Sequence, residues 1–401
     1  MSLAYTEMWV RDDNDPIIGE ELKRTKLEGT PYSDDRKWFQ DYTHTKFPLR
    51  SQLCAGDPEL VLSGWRPCEP FITRGSRVLS FGSCFAANFA EWLANNGYNQ
   101  DFTASCRALL RNPFENVAVI AQLFRWAFEE IDPNSLLWID KHKQQLIATE
   151  ERRLAVRQAL LDADVFITTL SMAETWYDKV SGETLWRVIP QDLYDPEHHA
   201  YKVLSFEEHI QALEAIDRIR QQWLPKLRII YTVSPLPMST TFRPIAAVTA
   251  NSASKAIVRG ALDEFLRSRS ADLNSVYFYF PGYELVTTLF SNAFQPDGRH
   301  LYAHVIDAVM HLFASVYTTT HFASSVTDWP QWKAALGSDA TAAALDRELA
   351  ELKLKYNKLS RANELSYRHV RRLKRRLMLP RLENWLRRWK KGASRLRHRG
   401  A

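Results

Sequence analysis

The stretch RVLSFGSCFAANFAEWLANNG, residues 77–97, joins a short apolar run to a helical pattern through a Gly-Ser-Cys junction. The large apolar residues of its second half share one helical face: Phe85, Phe89, Trp92 and Leu93. Gly97 is placed to end that helix, so the stretch predicts a strand, a tight turn and a helix. The junction itself has two explanations. Either Gly82 makes the turn and Ser83 only caps the helix, or the junction displays a nucleophile.

Similar alternation of strand and helix patterns continues along the chain. Four apolar runs rich in β-branched or aromatic residues predict buried strands: 77–81, 164–170, 227–237 and 276–284. Between and after them, apolar residues at helical spacing predict helices: 85–96, 116–131, 207–224 and 304–317. This order predicts an α/β fold with a parallel sheet and helices on both faces. In such folds the functional site forms outside the carboxyl ends of the strands.

Composition indicates a soluble intracellular protein. Of the 401 residues 45% are hydrophobic, which is ordinary for a globular protein. No stretch approaches the ~18 consecutive apolar residues of a membrane span, and residues 1–30 lack the pattern of a secretory signal. The four cysteines have neither metal-ligand spacing nor disulfide density: Cys54, Cys68, Cys84 and Cys106. We therefore expect a cytoplasmic protein with free thiols and without a bound metal.

The motif FGSCFA, residues 81–86, resembles the signature of the bacterial GSCFA domain family, a branch similar to the GDSL/SGNH hydrolases. Six further motifs follow in the order of that family: RNPFENVAVI (111–120), TTLSMAETW (168–176), TVSPLP (232–237), NSASKA (251–256), YFPGYE (279–284) and DGRH (297–300). The resemblance spans about residues 75–318, roughly three fifths of the chain. It implies an SGNH-like parallel-sheet sandwich that performs acyl transfer or ester hydrolysis.

The same resemblance selects a nucleophile. The first SGNH block, Phe-Gly-Asp-Ser, places Cys84 at the position of the nucleophilic serine and Ser83 at the position of the aspartate. A thiolate at a helix N-terminus is stabilised by N–H groups and the helix dipole, and it is a better nucleophile than a hydroxyl. Cysteine is also often a small buried hydrophobe. Three alternatives therefore stay open: Cys84, which we prefer, Ser83, or neither.

A nucleophile of this kind needs a base and a group that orients the base. The resemblance carries the last SGNH block onto Asp297 and His300, whose D-x-x-H spacing allows the carboxylate to hold one ring nitrogen. Without the resemblance, QPDGRH is more typical of a solvated surface turn. We expect Cys84 and His300 to approach within about 3–4 Å.

Donors for the oxyanion of acyl transfer are less well marked. The candidates are backbone N–H groups after Gly82 and the side chain of Asn112, although an Asn before Pro is equally typical of a turn. The third SGNH block, Gly-x-Asn, is replaced here by Ser-Met-Ala-Glu at 171–174, so we expect Glu174 or Trp176 to shape the site instead. No cofactor is predicted; a coenzyme A thioester is the alternative source of the acyl group.

The flanking segments have a different character. Residues 1–74 are polar and turn-rich and are expected to pack on the body formed by residues 75–318, and 319–341 are interpreted as a linker. Residues 342–379 carry a heptad seam at alternating steps of four and three: Leu345, Leu349, Leu352, Tyr356, Leu359, Asn363, Ser366, Val370, Leu373 and Leu377. This seam favours a coiled coil, as a homodimer or with another partner, over a helix packed on the body.

The C-terminal segment is strongly basic. Between Arg368 and Arg399 there are fourteen Lys and Arg against one acid, which leaves 38 basic and 46 acidic residues elsewhere. In the tail 380–401, Leu382, Trp385, Leu386 and Trp389 share one face of a basic helix. Such a helix is typical of contact with an anionic membrane surface. Nucleic-acid binding is the less favoured rival, and a solvated tail is the third alternative.

These observations favour a cytoplasmic enzyme, peripheral at the inner membrane face, that acts on O-acyl groups of a glycan or glycolipid. The rival interpretation is a non-catalytic scaffold in which the coiled coil and tail do the work and the body is a degenerate hydrolase domain. The absent Gly-x-Asn block favours the scaffold, whereas the complete Cys84, Asp297 and His300 set favours the enzyme.

Overall fold

A computed structural model describes most of the body of the chain. The described residues are 47–98, 116–131, 136, 138–139, 145–146, 149–185 and 189–320. The predicted coiled coil and basic tail lie outside these residues, as do nearly all of the linker and Asn112. Within the described part of the chain, no helix combines the length and apolar character needed to cross a membrane.

The body is a mixed α/β fold. Its strands are β1 Val78–Gly82, β2 Trp138–Ile139, β3 Gln145–Leu146, β4 Val165–Leu170, β5 Glu174–Asp178, β6 Thr184–Leu185, β7 His199–Val203, β8 Arg228–Val233 and β9 Tyr277–Tyr279. Its helices are α1 Arg50–Ala55, α2 Glu59–Leu62, α3 Cys84–Asn95, α4 Val117–Ala127, α5 Glu150–Asp162, α6 Phe206–Trp223, α7 Ala247–Ser268, α8 Gly282–Glu284 and α9 Ala303–Tyr317.

Four strands form the central sheet, in the order β1-β4-β8-β9. All three pairings are parallel, so the carboxyl ends of the strands meet at one edge. The register places Gly82 beside Thr169, and Leu170 beside Val233. A separate antiparallel sheet, in the order β6-β5-β7, follows the end of β4. The predicted parallel α/β sheet is therefore confirmed, and the small sheet is an addition that the sequence pattern did not indicate.

Both faces of the central sheet are covered, which explains why its strands are apolar on both sides. Along β4, Phe166 and Leu170 belong to the apolar cluster shared with α4, α5, α6 and α7. The alternate residues Val165 and Ile167 belong to the cluster shared with α3 and α9. The period of two thus divides a continuous apolar run between two cores.

Local sequence explains the ends of these elements. Ser205 caps α6 in a capping box with Glu208, and Asn116 caps α4. β8 ends at Val233, earlier than the run 227–237 predicts. The residues that follow are Ser-Pro-Leu-Pro, and proline has no N–H to donate to a neighbouring strand. Two helices that the pattern did not indicate, α5 and α7, complete one face of the sheet.

The described part of the N-terminal segment packs on the body and meets the end of α9. The amides of Phe71 and Ile72 both donate to the carbonyl of Tyr317, at 3.0 and 2.8 Å, and Thr319 N–H donates to Ile72 O at 3.0 Å. Ile72 and Tyr317 are completely buried. We call this pairing of 71–72 with 317–319 the terminal clasp.

Candidate functional site

The Gly-Ser-Cys junction lies at the carboxyl end of β1 and requires a glycine. Gly82 has φ +140°, and a Cβ built there would lie 2.4 Å from Thr169 O and 2.6 Å from Thr169 N. Any side chain would thus overlap the backbone of the neighbouring strand, in a conformation that only glycine adopts readily. Gly82 therefore allows β1 to turn into α3 while remaining against β4.

Ser83 is the N-cap of α3 and is 4% exposed. Its Oγ accepts a hydrogen bond from Phe85 N–H at 3.2 Å and donates to Ser234 Oγ at 3.0 Å. Ser234 directly follows β8, so this bond joins the ends of two strands of the sheet. The hydroxyl of Ser83 is thus occupied in capping the helix and in fixing the junction to the loop after β8.

Cys84 is the first residue of α3, and the structure describes its backbone only. The N–H groups around it are largely used within the turn. Ser83 N–H donates to Thr169 O at 3.1 Å, Phe85 N–H donates to the cap, and Ala86 N–H donates to Ser83 O at 2.8 Å. Of the predicted backbone donors after Gly82, these three therefore have partners inside the fold.

Asp297 and His300 form the predicted pair. Asp297 Oδ2 lies 2.5 Å from His300 Nδ1, while its Oδ1 accepts the N–H groups of Arg299 and His300 at 3.0 Å each. The His300 side chain is 53% exposed and that of Asp297 47%. The hydrogen bond from His300, followed by the two backbone N–H groups, holds the pKa of the Asp297 carboxyl well below its usual range. The carboxylate therefore stays ionised and fixes Nδ1, which leaves Nε2 available for proton transfer.

The loop after β8, residues 234–237, contacts both of these regions. Ser234 binds the Gly-Ser-Cys junction through Ser83, and Arg299, which lies inside the D-x-x-H turn, donates from Nε to Pro237 O at 3.4 Å. Three residues span at most about 10 Å. The structure thus brings the junction and the Asp297–His300 turn to the same edge of the sheet.

The Ser-Met-Ala-Glu loop, residues 171–174, is held by three side chains, one at the cap of α4 and two on α7. Asn116 Nδ2 donates to Met172 O at 3.1 Å, and Ala173 N–H donates to Ser254 Oγ at 2.6 Å. Lys255 Nζ donates to Ser171 Oγ at 3.2 Å. Asn116, at the end of RNPFEN, and Ser254 and Lys255 of NSASKA therefore share a structural task, which is to fix this loop.

Glu174 opens β5, and its Oε1 accepts a hydrogen bond from Thr241 at 2.7 Å. Burial, followed by the neighbouring Glu174 carboxylate, raises the pKa of the Tyr201 phenol. Trp176 packs against Leu185 and Ile189 and lies 5.0 Å from the ring of Phe242. Glu174 thus ties the small sheet to the segment after β8, and Trp176 belongs to the core of that sheet.

One residue at this edge was not anticipated from the sequence. Lys255 is 3% exposed, and its Nζ donates to Ser234 O at 2.7 Å. The signal was present in α7, where a lysine lies at helical spacing from the buried residues Val258 and Leu262. A charged side chain within an apolar helical stripe indicates a buried charge, and a buried charge needs specific partners in the fold.

Comparison with protein families gives one result that covers most of this fold. The model of the GSCFA family matches residues 77–313, which run from β1 into α9 and include both the Gly-Ser-Cys junction and the D-x-x-H turn. The resemblance predicted from the motifs is therefore confirmed. No curated protein matches the chain.

Proposed function

Because the chain belongs to the GSCFA family, we propose that it is an acyl-transfer or ester-hydrolysis enzyme of SGNH-like type. The observation that carries this proposal is the Asp297–His300 hydrogen bond, which the loop 234–237 connects to the start of the helix that carries Cys84. Cys84 is the proposed nucleophile, His300 the general base and Asp297 the residue that orients the base.

In the proposed reaction, His300 Nε2 accepts the proton of the Cys84 thiol as sulfur attacks the acyl carbonyl. The carbon–sulfur bond forms and the carbonyl π electrons move to oxygen, giving a tetrahedral oxyanion. The intermediate collapses when His300 returns the proton to the departing alcohol, and a thioester on Cys84 remains. Water or an acceptor hydroxyl then attacks the thioester by the same proton transfers and restores the thiol.

The preference for Cys84 over Ser83 has support from the junction. The Ser83 hydroxyl is buried and already engaged with Phe85 N–H and Ser234 Oγ. A nucleophile must reach the substrate, and attack by Ser83 would leave the first turn of α3 without its cap. Ser83 is better suited to position Cys84 than to react.

For the oxyanion, the Cys84 N–H is the donor that we assign from this turn, because the amides of Ser83, Phe85 and Ala86 have partners within the fold. Asn112 stays a predicted second donor. Glu174 and the loop 171–174 are proposed to border the acyl acceptor.

We propose O-acyl groups of a glycan or glycolipid as the substrate class, with a coenzyme A thioester as the alternative acyl donor. An exposed Asp297–His300 pair is consistent with a bulky acceptor, because both side chains are about half accessible. Whether water or a sugar hydroxyl accepts the acyl group decides between hydrolase and transferase.

Intact-mass spectrometry of the protein after incubation with p-nitrophenyl acetate tests the proposal. We expect an acetyl adduct on Cys84 in the wild type and in Ser83→Ala, none on that residue in Cys84→Ala, and slower formation in His300→Ala. Peptide mapping separates this adduct from reaction at the exposed Cys68. If Cys84→Ala keeps the adduct while Ser83→Ala loses it, Ser83 is the nucleophile; if Cys84 never reacts, the non-catalytic scaffold is favoured.

A second part of the proposal is that residues 342–379 mediate dimerisation and residues 381–399 contact a membrane. The heptad seam of 342–379 would pair two copies, and the basic face of 381–399 would then present two contacts to an anionic bilayer, which reinforce each other. Light scattering and vesicle sedimentation test this with the full chain, a chain ending at residue 335, and a full chain in which Arg387, Arg388, Lys390 and Lys391 are changed to Gln. We expect the truncation to lose both dimer and vesicle binding, and the Gln variant to lose vesicle binding alone. A truncated chain with unchanged mass and unchanged sedimentation would contradict both roles.

A further inference from the structure

Lys255 places a buried ammonium at the edge of the sheet where the proposed nucleophile begins its helix. Its Nζ donates to Ser234 O at 2.7 Å and to Ser171 Oγ at 3.2 Å. Ser171 directly follows β4 and Ser234 directly follows β8. The ammonium therefore lies between the carboxyl ends of the two middle strands, and its side chain is 3% exposed overall.

Short connections join this ammonium to the Gly-Ser-Cys junction. Ser234, whose carbonyl accepts from Lys255, also accepts the Ser83 hydroxyl on its Oγ at 3.0 Å. On the other side, Ser83 N–H donates to Thr169 O, two residues before the Ser171 that binds Lys255. The residue that precedes Cys84 is thus tied to one of the loops that hold the ammonium and to the end of the strand that leads into the other.

Burial of the Lys255 charge lowers the stability of the fold. The same face of α7 buries Val258, Ala261 and Leu262, so an apolar side chain at 255 would continue the stripe without desolvating a charge. Hydrogen bonds to a hydroxyl and a carbonyl orient the ammonium. Buried charges that shift the acidity of a neighbour are characteristic of functional sites.

We propose that Lys255 is a positioning residue whose charge stabilises the thiolate form of Cys84, acting together with the N-terminus of α3. This inference rests on Cys84 being the nucleophile. A nearby lysine and a helix N-terminus are two of the environments that lower the pKa of a cysteine thiol. Among the described residues, other titratable groups at this edge include Asp297, Arg299 and His300 in the D-x-x-H turn, Glu174 on β5, and Glu284 of α8 with its partner Arg259.

The test measures the pH dependence of thiol alkylation by iodoacetamide, with peptide mass spectrometry reporting Cys84 and the exposed Cys68 separately. Lys255→Met and Lys255→Gln remove the charge, and Lys255→Arg keeps it. Ser171→Ala removes one hydrogen bond of the ammonium but keeps the charge. Lys226→Met removes the same charge at the exposed opposite edge, before β8. Circular dichroism identifies the folded variants.

We expect the wild-type Cys84 thiol to titrate at least one pKa unit below Cys68. Either folded neutral variant should raise the Cys84 pKa by about one unit or more, whereas Lys255→Arg, Ser171→Ala and Lys226→Met should leave it close to wild type. An unchanged Cys84 pKa in a folded neutral variant overturns the inference, as does an equal shift in Ser171→Ala. Neither result affects the acetyl-adduct test of Cys84, so this inference and the proposed function fail separately.

Discussion

The two edges of the central sheet bury charge in opposite ways. At the amino edge, the Asp217 carboxylate is 2% exposed and is met by Tyr277 and by the guanidinium groups of Arg220 and Arg269. At the carboxyl edge, the described contacts of the Lys255 ammonium are a hydroxyl and a carbonyl oxygen. The amino edge thus surrounds a carboxylate with guanidinium groups, whereas at the carboxyl edge a hydroxyl and a carbonyl oxygen help to orient an ammonium.

Under the proposed function, the charged groups at the amino edge stabilise the fold, whereas those at the carboxyl edge surround the reactive groups. The amino-edge cluster links α6, the C-cap of α7 and β9 through hydrogen bonds to the Asp217 carboxylate. The carboxyl edge also holds the Thr169 and Thr232 hydroxyls, buried and without a hydrogen-bond partner among the described residues. Unsatisfied or partly satisfied polar groups lower stability and concentrate at functional sites.

The largest effect on stability is expected from breaking the amino-edge cluster. Asp217→Asn leaves the buried guanidinium of Arg220 and the partly exposed one of Arg269 without their carboxylate, which should lower the free energy of unfolding by about 3–5 kcal/mol. Urea unfolding followed by circular dichroism measures the loss. The control, Glu264→Gln, removes the exposed partner of Arg267 and should cost less than about 1 kcal/mol. Equal losses in the two variants would show that the buried Asp217 cluster adds no more to the free energy of unfolding than an exposed ion pair does.

The same cluster should give a pH signature. Burial alone would raise the pKa of the Asp217 carboxyl, but hydrogen bonds from Tyr277 and Arg269 outweigh it and hold the pKa below its ordinary value. The stability that Asp217 adds is therefore present above the ordinary carboxyl pKa and is lost as the pH falls through the lower, folded-state value. The difference between wild type and Asp217→Asn should shrink below about pH 4. A difference that grows on acidification would contradict this assignment.

At the carboxyl edge the largest expected effect comes from the glycine. Gly82→Ala combines an unfavourable φ with overlap against the Thr169 backbone, so we expect a loss of about 2–4 kcal/mol. Gly182→Ala is the matched control, because Gly182 also has positive φ, +73°, but a Cβ there has nothing within 4 Å. Urea unfolding of both variants separates strain from overlap. If Gly82→Ala and Gly182→Ala lower the free energy of unfolding equally, the backbone of β4 moves away from the added Cβ at little cost.

A smaller effect is expected from the cap. Ser83→Ala removes the hydrogen bond that the cap accepts from Phe85 N–H and the buried one that it donates to Ser234 Oγ. It should cost about 1–2 kcal/mol, somewhat more than Ser205→Ala at the exposed cap of α6. Thermal unfolding measures both. The acetyl adduct on Cys84 should persist in each, since neither change touches the thiol. Complete loss of the adduct in Ser83→Ala alone would move the chemistry to Ser83.

The smallest effect on the free energy of unfolding is expected from Asp297→Asn, which should nevertheless slow acetyl-enzyme formation strongly. Asp297→Asn alters a half-exposed turn, so the unfolding curve should not move. The rate of acetyl-enzyme formation should fall by about 100-fold or more, because His300 loses the carboxylate that fixes its tautomer. Asp195→Asn, in another exposed turn, is the control and should alter neither quantity. A destabilised variant with an unchanged rate would identify the Asp297–His300 pair as structural.

Sequence pattern predicted the central sheet because its strands are buried on both faces and are therefore uniformly apolar, as in 164–170. It missed β5 to β7, whose strands are only two to five residues long and partly exposed. It also missed α7, where the polar run Asn-Ser-Ala-Ser-Lys interrupts the apolar stripe. In that run Ser254 and Lys255 bind the loop 171–174 and Asn251 accepts from Met238 N–H, which becomes visible only in three dimensions.

The residues of the candidate site also fall into two groups, those that could be predicted from the sequence and one that could not. Asp297 and His300 were predictable because their contact is local, three residues apart in the chain. Lys255 was not, because the two hydrogen bonds described above join residues 84 and 21 positions away. Hydrogen bonds between such distant residues follow from the stacking of strands and helices, which periodicity alone does not specify.

The terminal clasp has a consequence for where this protein can be cut. The family match begins at residue 77 and ends at 313, so both strands of the clasp, 71–72 and 317–319, fall outside it. A fragment trimmed to the matched residues would expose the surfaces that Ile72 and Tyr317 now cover. Conversely, the clasp is parallel, with Ile72 paired to Thr318, so residues 70 and 320 lie at its opposite ends and a linker of several residues would be needed to join them. New termini could then open in an exposed turn such as Val180–Gly182, with the order of the chain rearranged and the sheet preserved.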